Sequence, residues 1–238
     1  MKKKLGLIVN PIAGIGGRVG LKGSDSVEIQ RQALEMGAVP HSNDRTAEAL
    51  ERLLPIQSQI DLLTWTQEMG ENVARRCGFE PLVFGNKEAT LTTGEDTKQA
   101  AVAMLQQGVD LLLFAGGDGT ARDIYHAVGL NLAALGIPTG VKIHSAVFAV
   151  NPPRAGDLAA NYLTGKASGL REMEVMDLDE ESVRQDRVTS SLYGYLLVPY
   201  AEGLLQGMKA ASGKSEASAL RILARTFVES WLEDGVFY

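Results

Sequence analysis

An aspartate surrounded by glycines follows a strongly apolar run near the middle of the chain. The run covers 111–115, and Gly116, Gly117 and Gly119 flank Asp118. Glycines let the backbone come close to a ligand, and the amides that open a helix attract phosphate. A carboxylate in such a turn would repel phosphate unless it accepts the proton of an attacking hydroxyl or holds a divalent cation. The stretch therefore predicts phosphoryl transfer.

The alternative for this stretch is a β-hairpin, because Asp-Gly between two apolar runs is a strong turn signal. A hairpin requires an alternating strand after the turn. Instead, apolar residues recur every three or four positions, which is typical of a helix: Ile124, Val128, Leu132 and Leu135. We therefore predict a strand, a glycine turn and a helix, with Asp118 at the carboxyl edge of a sheet. The amides of Gly119 and Thr120 would face phosphate, with the helix dipole behind them.

A second glycine-rich stretch, 9–20, follows the first apolar run and begins with an Asn-Pro turn at Asn10. Gly14 and Gly16 fit a G-x-G-x-x-G dinucleotide fingerprint, but Val19 stands where the third glycine or alanine is required. The fingerprint therefore fails. The stretch is either a ligand loop at the carboxyl end of a strand or a flexible connection.

A third stretch contains the Gly-Lys-Ser of a P-loop at Gly213, Lys214 and Ser215. Met208 occupies the place of the first P-loop glycine, and no apolar strand leads into the stretch. We interpret Lys214 as a solvated residue near the start of a helix.

The elements that must carry these loops alternate between two types. Four near-continuously apolar runs are typical of strands buried on both faces of a parallel sheet: 5–10, 60–65, 81–85 and 110–117. Three longer segments between them predict helices: 26–36, 67–76 and 97–107. The helix over 97–107 would begin at Thr93 or Glu95 and end at Gly108. This alternation indicates βαβ units and an α/β fold with a Rossmann-like parallel sheet.

The pattern changes after about residue 170. Two strand-like runs, 171–179 and 187–199, are joined by a polar loop without a helix, and a helical pattern covers 215–232. We therefore predict two domains, an α/β nucleotide-binding domain over 1–168 and a β-rich domain over 169–238.

Composition limits the classes of function. The net charge of −6 over 238 residues argues against general binding to nucleic acids or anionic membranes, because no basic excess is present to release counterions. No apolar run approaches the roughly 18 residues of a membrane span. The single cysteine, Cys77, allows no intrachain disulfide and fits a reducing compartment. We expect a cytoplasmic protein.

The five residues 116–120, Gly-Gly-Asp-Gly-Thr, resemble the signature of the superfamily that joins NAD kinases, diacylglycerol and sphingosine kinases, and phosphofructokinases. Three further motifs add to this: GLIVNPIAGIGG at 6–17, PTGVKIHS at 138–145 and LYGYLLVP at 192–199. Together they are most similar to the AcoX-like branch of ATP- or polyphosphate-dependent NAD kinases. The resemblance implies transfer of a phosphoryl group from ATP or polyphosphate, with Mg²⁺ or another divalent cation, to the 2′-hydroxyl of the NAD adenosine ribose. The product would be NADP.

The same resemblance assigns roles by position. Asp118 would be the catalytic aspartate that activates the hydroxyl. Eight residues would bind nucleotide and phosphate: Asn10, Gly116, Gly117, Gly119, Thr120, Thr139, Gly140 and Lys142. No side chain is assigned as a metal ligand. Arg122 and Asp123 would either contact the ligand or serve solvation and the helix dipole, and His144 is expected to be structural.

Two departures from the family pattern keep other readings open. The better-known NAD kinases carry an Asn-Glu or Asn-Asp pair in the second domain, whereas the only such pair here, Asn43-Asp44, is expected early in the chain, in a polar loop. Members of this branch also usually continue beyond a strand like 235–238, so a truncated second domain is one reading. The alternatives to a kinase acting on NAD are a nucleotide-binding protein without turnover and a lipid kinase. We expect a homo-oligomer, because an exposed sheet edge favours association.

Overall fold

A computed structural model describes residues 2–15, 27–85, 92–140, 143–167, 169–178, 190–201 and 204–205. These residues all fall within one unit, 1–207, and 208–238 form a second unit outside the described residues. The predicted helix over 215–232 and the P-loop-like stretch therefore lie outside the described residues, as do Gly16, Val19 and Lys142. The proposed domain boundary after residue 168 stays a prediction.

Five short apolar segments form a parallel sheet. They are β1 (Lys3–Val9), β2 (Ile60–Trp65), β3 (Leu82–Phe84), β4 (Leu111–Gly116) and β5 (Ala134–Pro138), in the spatial order β3-β2-β1-β4-β5. In the register of the sheet, Leu7 of β1 pairs with Thr64 of β2 on one side and with Leu113 of β4 on the other. The four predicted strands are confirmed. Strands β1, β4 and β5 are almost wholly buried from Leu5 onward, as expected when helices cover both faces.

Six α-helices lie within the described residues: α1 (Val27–Glu35), α2 (Ser42–Glu51), α3 (Glu71–Arg76), α4 (Gly94–Gln106), α5 (Asp118–Val128) and α6 (Pro152–Leu163). Helix α2 packs against α6, and α4 packs against α5. The strand order reverses between β1 and β4, so right-handed crossovers place these two pairs on opposite faces of the sheet. The parallel sheet is therefore the middle layer of three.

Two of the three predicted helices form as single helices, and the third is broken. Helix α4 begins after Thr93 through a capping box with Asp96, and Gly108 follows its end with a φ of 63°. The segment 67–76 instead divides into a 3₁₀ turn, Gln67–Met69, and α3. Gly70 separates them with a φ of 138°, and a side chain there would overlap Thr64. The helical period of the segment did not reveal this break.

The helix that follows Asp118 is shorter than its apolar spacing predicts. Helix α5 ends at Val128, and Gly129 follows with a φ of 51°. Leu135 therefore lies on β5, not on the helix, so its helical spacing is a coincidence of two adjacent elements. Asn43 and Asp44 also lie in the first turn of α2 and not in a loop.

Two further strands, β6 (Leu170–Leu178) and β7 (Ser190–Pro199), pair antiparallel in a separate two-stranded sheet. This confirms the predicted strand pair. Buried residues on this pair, Val175, Leu196 and Val198, join the same hydrophobic cluster as the parallel sheet. Ala133 and Leu197 form an isolated parallel bridge between the two sheets. The strand pair is thus packed directly against the layer that carries Asp118.

No helix within the described ranges is long and apolar enough to cross a membrane.

Within the core, the rings of Phe114 and Phe148 meet edge to face with centroids 5.3 Å apart. A Cβ on Gly136 would overlap the Phe148 ring, so this glycine makes room for the aromatic contact.

Asp110 ties the amino end of β4 to β1. Its carboxylate accepts hydrogen bonds from Lys3 Nζ at 2.7 Å and from Lys4 N at 2.8 Å. Partial burial acts to raise the pKa of Asp110, but these bonds and the lysine charges outweigh it and hold the pKa below its ordinary value. A carboxyl group with a depressed folded-state pKa stabilises the fold above its unfolded pKa of about 3.9. That stability is lost as the pH falls through the folded-state pKa.

We therefore expect Asp110→Asn to lower the free energy of unfolding by about 0.5–1.5 kcal/mol at neutral pH. The difference from wild type should shrink as acid protonates Asp110. Urea unfolding between about pH 7 and pH 2 measures both quantities. Asp61→Asn is the control, because within the described ranges the Asp61 carboxylate makes just one ion pair, an exposed one with Lys2 at 3.4 Å. If Asp110→Asn lowers the free energy of unfolding by the same amount at about pH 7 and about pH 2, this account is wrong.

Candidate functional site

The candidate site lies where the strand order reverses. From β1 the chain moves toward β2, whereas from β4 it moves the opposite way toward β5. Ligands of open α/β sheets bind in the crevice that such a reversal opens at the carboxyl ends of the strands. Asn10 follows β1, Gly117 and Asp118 follow β4, and Thr139 follows β5. The crevice therefore brings together the three loops that the sequence motifs had singled out.

Backbone and side-chain hydrogen bonds join the three loops. Asn10 N donates to Ala115 O at 2.9 Å, and Thr139 N donates to Gly116 O at 3.0 Å. The Asn10 side chain then crosses the crevice, because its Nδ2 donates to Thr120 Oγ1 at 3.0 Å. Its Oδ1 accepts from Ile12 N at 3.3 Å. Asn10 thus holds the β1 loop against the first turn of α5.

Glycines allow these loops to approach closely. A Cβ on Gly14 would lie 3.0 Å from Gly140 Cα, and Gly14 has a φ of 74°. A Cβ on Gly140 would in turn lie 3.7 Å from Gly117 Cα. At these positions main chain therefore approaches main chain, because no side chain stands between.

Gly116 and Gly117 differ in their surroundings. A Cβ on Gly116 would overlap the side chain of Thr120, which is buried. A Cβ on Gly117 would meet no atom of the described residues within 4 Å. Gly116 is thus required by packing, whereas Gly117 has room for a side chain among the described residues. Gly119 lies in the first turn of α5.

Asp118 is the first residue of α5, and both of its carboxylate oxygens accept backbone hydrogen bonds. Oδ2 accepts from His144 N at 2.8 Å, and Oδ1 accepts from Ser145 N at 2.9 Å. The negative charge at a helix N-terminus is also favoured by the helix dipole. Asp118 is therefore held in one orientation by the segment after β5.

Thr139 brings a buried polar group to the crevice. The residue is 4% exposed, and its Oγ1 has no hydrogen-bond partner in the described part of the chain. A buried hydroxyl without a partner is costly unless a ligand or water completes it. Of the eight predicted binding residues, the structure gathers seven around the crevice, and Lys142 lies outside the described residues.

Ser145 is a site residue that sequence reasoning missed. It lies in the quoted motif PTGVKIHS, from which only Thr139, Gly140 and Lys142 were assigned roles. A single serine carries no sequence signal for this role. The contacts that define the role are made with Met176 of β6, which is distant in sequence. Arg122, for which either a ligand contact or a role in solvation and the helix dipole was expected, pairs with Asp177 of β6, with Nη1 to Oδ2 at 2.6 Å. Its role toward a ligand stays a prediction.

Among the described residues, the crevice around Asp118 offers few side chains that could bind a divalent cation. The described residues contain no group of three or more His, Cys, Asp or Glu side chains that could hold a metal ion. Asp118 offers a carboxylate beside the expected phosphate position. Mg²⁺ in kinases is commonly held by one or two carboxylates together with substrate phosphates and waters. A single carboxylate thus fits only a cation whose other ligands are phosphates and waters.

Comparison with known proteins gives one family match. The family model of the ATP-NAD kinase N-terminal domain matches residues 5–167. Curated proteins give no significant match.

Among solved structures, one described as a diacylglycerol kinase from Bacillus anthracis str. Sterne is 15% identical, with a TM-score of 0.38. The match covers 75% of this chain and 46% of that one, so the chain spans less than half the length of that structure. A ribose operon repressor protein from Lactobacillus acidophilus is 14% identical, with coverage of 71% and 92% and a TM-score of 0.26. Since the family model matches well over half of its 238 residues, the chain belongs to the ATP-NAD kinase N-terminal domain family.

Proposed function

We propose that the protein is a phosphotransferase that converts NAD to NADP, with ATP or polyphosphate as the phosphoryl donor. The observation that carries this proposal is the position of Asp118, at a helix N-terminus in the crevice between β1 and β4. Membership in the ATP-NAD kinase N-terminal domain family supports a kinase-like phosphotransferase. The proposal includes NAD as the acceptor, ATP or polyphosphate as the donor and NADP as the product.

The crevice has the groups that bind phosphate. The amides at the start of α5 point along the helix dipole, which favours an anion at this end. Gly117 leaves open space for the phosphate to approach the backbone. The buried hydroxyl of Thr139 is a donor without a partner in the described part of the chain. A donor phosphate in this position would meet backbone dipoles and hydroxyls.

Asp118 would act as the general base. Each carboxylate oxygen has two acceptor positions, and among the described residues the bonds from His144 N and Ser145 N occupy one on each oxygen. Asp118 accepts the proton of the ribose 2′-hydroxyl, and the hydroxyl oxygen forms the new bond to phosphorus. The bond between that phosphorus and its bridging oxygen breaks, which releases ADP or a shortened polyphosphate. A divalent cation bound beside Asp118 would neutralise charge on the phosphate oxygens.

One observation favours a second candidate function, nucleotide binding without turnover. Both Asp118 oxygens already accept backbone hydrogen bonds, as expected of a carboxylate that closes a loop. In this reading Asp118 has only a structural role. The two candidates differ in whether product forms.

The deciding assay incubates the protein with NAD, Mg²⁺ and either ATP or polyphosphate, and detects NADP with an NADP-specific coupled dehydrogenase. We expect slow NADP formation that requires both NAD and a donor. If no NADP forms with either donor, the NAD kinase proposal is wrong. Calorimetric titration with ATP and with NAD then shows whether binding survives, which would support the second candidate. Transfer of labelled phosphate to diacylglycerol would instead indicate a lipid kinase.

A further inference from the structure

We infer that Ser145 is a positioning residue that connects β6 to Asp118 and so sets the orientation of the catalytic carboxylate. The inference rests on the proposed function, in which Asp118 is the general base. Ser145 does not itself contact the reacting atoms in this account. It acts through its backbone amide, which its own side chain holds in place.

The hydroxyl of Ser145 is bound twice to a single residue of β6. Ser145 Oγ donates to Met176 O at 2.8 Å and accepts from Met176 N at 2.9 Å. The residue is 1% exposed, so water does not compete for these bonds. A side chain that donates to and accepts from the same backbone unit has little freedom to turn. The main chain of Ser145 is therefore fixed relative to β6.

The segment around Ser145 lies along the edge of β6. Ala146 N donates to Glu174 O at 2.9 Å, and Glu174 and Met176 are two residues apart. Residues two apart on a strand present their backbone groups to the same edge, so these bonds form one continuous attachment. The amides of His144 and Ser145 then extend from this attachment to the two oxygens of Asp118. Strand β6 thereby determines where the carboxylate points.

A second connection runs from β6 back to α5. Asp177, next to Met176, pairs with Arg122, which lies one helical turn after Asp118. Both side chains are largely buried, with exposed fractions of 14% and 25%, so this ion pair is less screened than a surface pair. The Arg122 guanidinium also lies 5.7 Å from the centroid of the Tyr193 ring on β7. Helix α5 and the segment at Ser145 are thus both fixed to the same strand, and Asp118 lies between them.

Removal of the Ser145 hydroxyl should loosen this arrangement without changing the groups that contact substrate. Ser145→Ala keeps the amide but frees it to move relative to Asp118. Displacement of a catalytic group by about 1 Å can reduce a rate by about 10²-fold. We expect kcat for NADP formation to fall at least about tenfold, with KM for NAD changed less than about twofold. A lower kcat with an almost unchanged KM indicates that the catalytic carboxylate is misaligned and that NAD binding is retained.

The matched control is Thr46→Val. Thr46 is also fully buried, and its hydroxyl donates to Ser42 O at 2.7 Å within α2, outside the crevice. This variant loses one buried hydroxyl hydrogen bond and should be destabilised, but its kcat should match that of wild type. If Ser145→Ala has wild-type kcat in an active protein, the positioning role is excluded while the proposed function stands.

Hydrogen exchange followed by NMR tests the inference independently of activity. We expect Ser145→Ala to speed exchange of the amides at 144 and 145 by about tenfold or more, which corresponds to about 1.4 kcal/mol of lost protection. Thr46→Val should leave both amides unchanged. If exchange at 144 and 145 does not change in Ser145→Ala, the inference is wrong even if the protein forms no NADP. A protein without NADP formation but with the expected exchange would contradict the proposed function alone.

Discussion

Asp118→Asn is expected to lower kcat for NADP formation by about 10²–10⁴-fold, the usual contribution of a general base. The amide that replaces the carboxylate cannot accept the hydroxyl proton. It also disturbs the loop, because an asparagine has one acceptor oxygen for the two bonds from His144 N and Ser145 N. Its NH₂ group would face one of those N–H donors. We expect a loss of about 1–3 kcal/mol in the free energy of unfolding.

Initial rates of NADP formation and urea unfolding measure the two effects separately. Asp157→Asn is the matched control, because Asp157 also accepts two hydrogen bonds, from Arg52 Nε at 2.7 Å and Arg154 Nη1 at 3.3 Å. It lies on α6, outside the crevice, so it should lose stability and keep its rate. An Asp118→Asn protein that retains most of its activity would exclude Asp118 as the base. An inactive variant with wild-type stability would instead show that the two amide bonds contribute little to the fold.

Alanine at the two adjacent glycines should have opposite consequences. In Gly116→Ala the new methyl group overlaps the Thr120 side chain, which is β-branched and cannot easily turn away. We expect a loss of about 1–3 kcal/mol in the free energy of unfolding, the usual cost of overpacking. The shift of Thr120 would also break its hydrogen bond from Asn10, which joins the β1 loop to α5.

Gly117→Ala places its methyl group where no atom of the described part of the chain lies within 4 Å, and the backbone there, with a φ of −124°, suits alanine. Stability should therefore change by less than about 0.5 kcal/mol. The methyl group enters the space proposed for phosphate, so affinity for ATP or polyphosphate should fall about tenfold or more. Urea unfolding and calorimetric titration of both variants test this pair. Unchanged donor affinity in Gly117→Ala would place the phosphate elsewhere, and an undisturbed Gly116→Ala would contradict the packing role of Gly116.

Local patterns were sufficient to predict four of the five parallel strands, the β6–β7 pair, the helices α1 and α4, and the order of strand, turn and helix at Asp118. They did not predict β5, α2 or α6. An apolar run of strand length, a glycine turn and a helical period after it all depend on residues close in sequence. The helix start at Thr93 is another case, since its capping box requires only Asp96. Local patterns failed where one signal covered two elements. Leu135 fits the helical spacing of the apolar residues after Asp118, but α5 ends before Gly129 and Leu135 lies on β5.

By itself, the sequence determined that an α/β protein places an aspartate between a strand and the N-terminus of a helix. Tertiary structure alone decided what surrounds that aspartate. Asn10 meets Thr120 because β1 lies beside β4, although the two residues are 110 positions apart. Ser145 reaches Asp118 only because β6 holds it through Met176. Strand neighbours are chosen by burial and backbone pairing over the whole chain, and no short stretch of sequence contains that information.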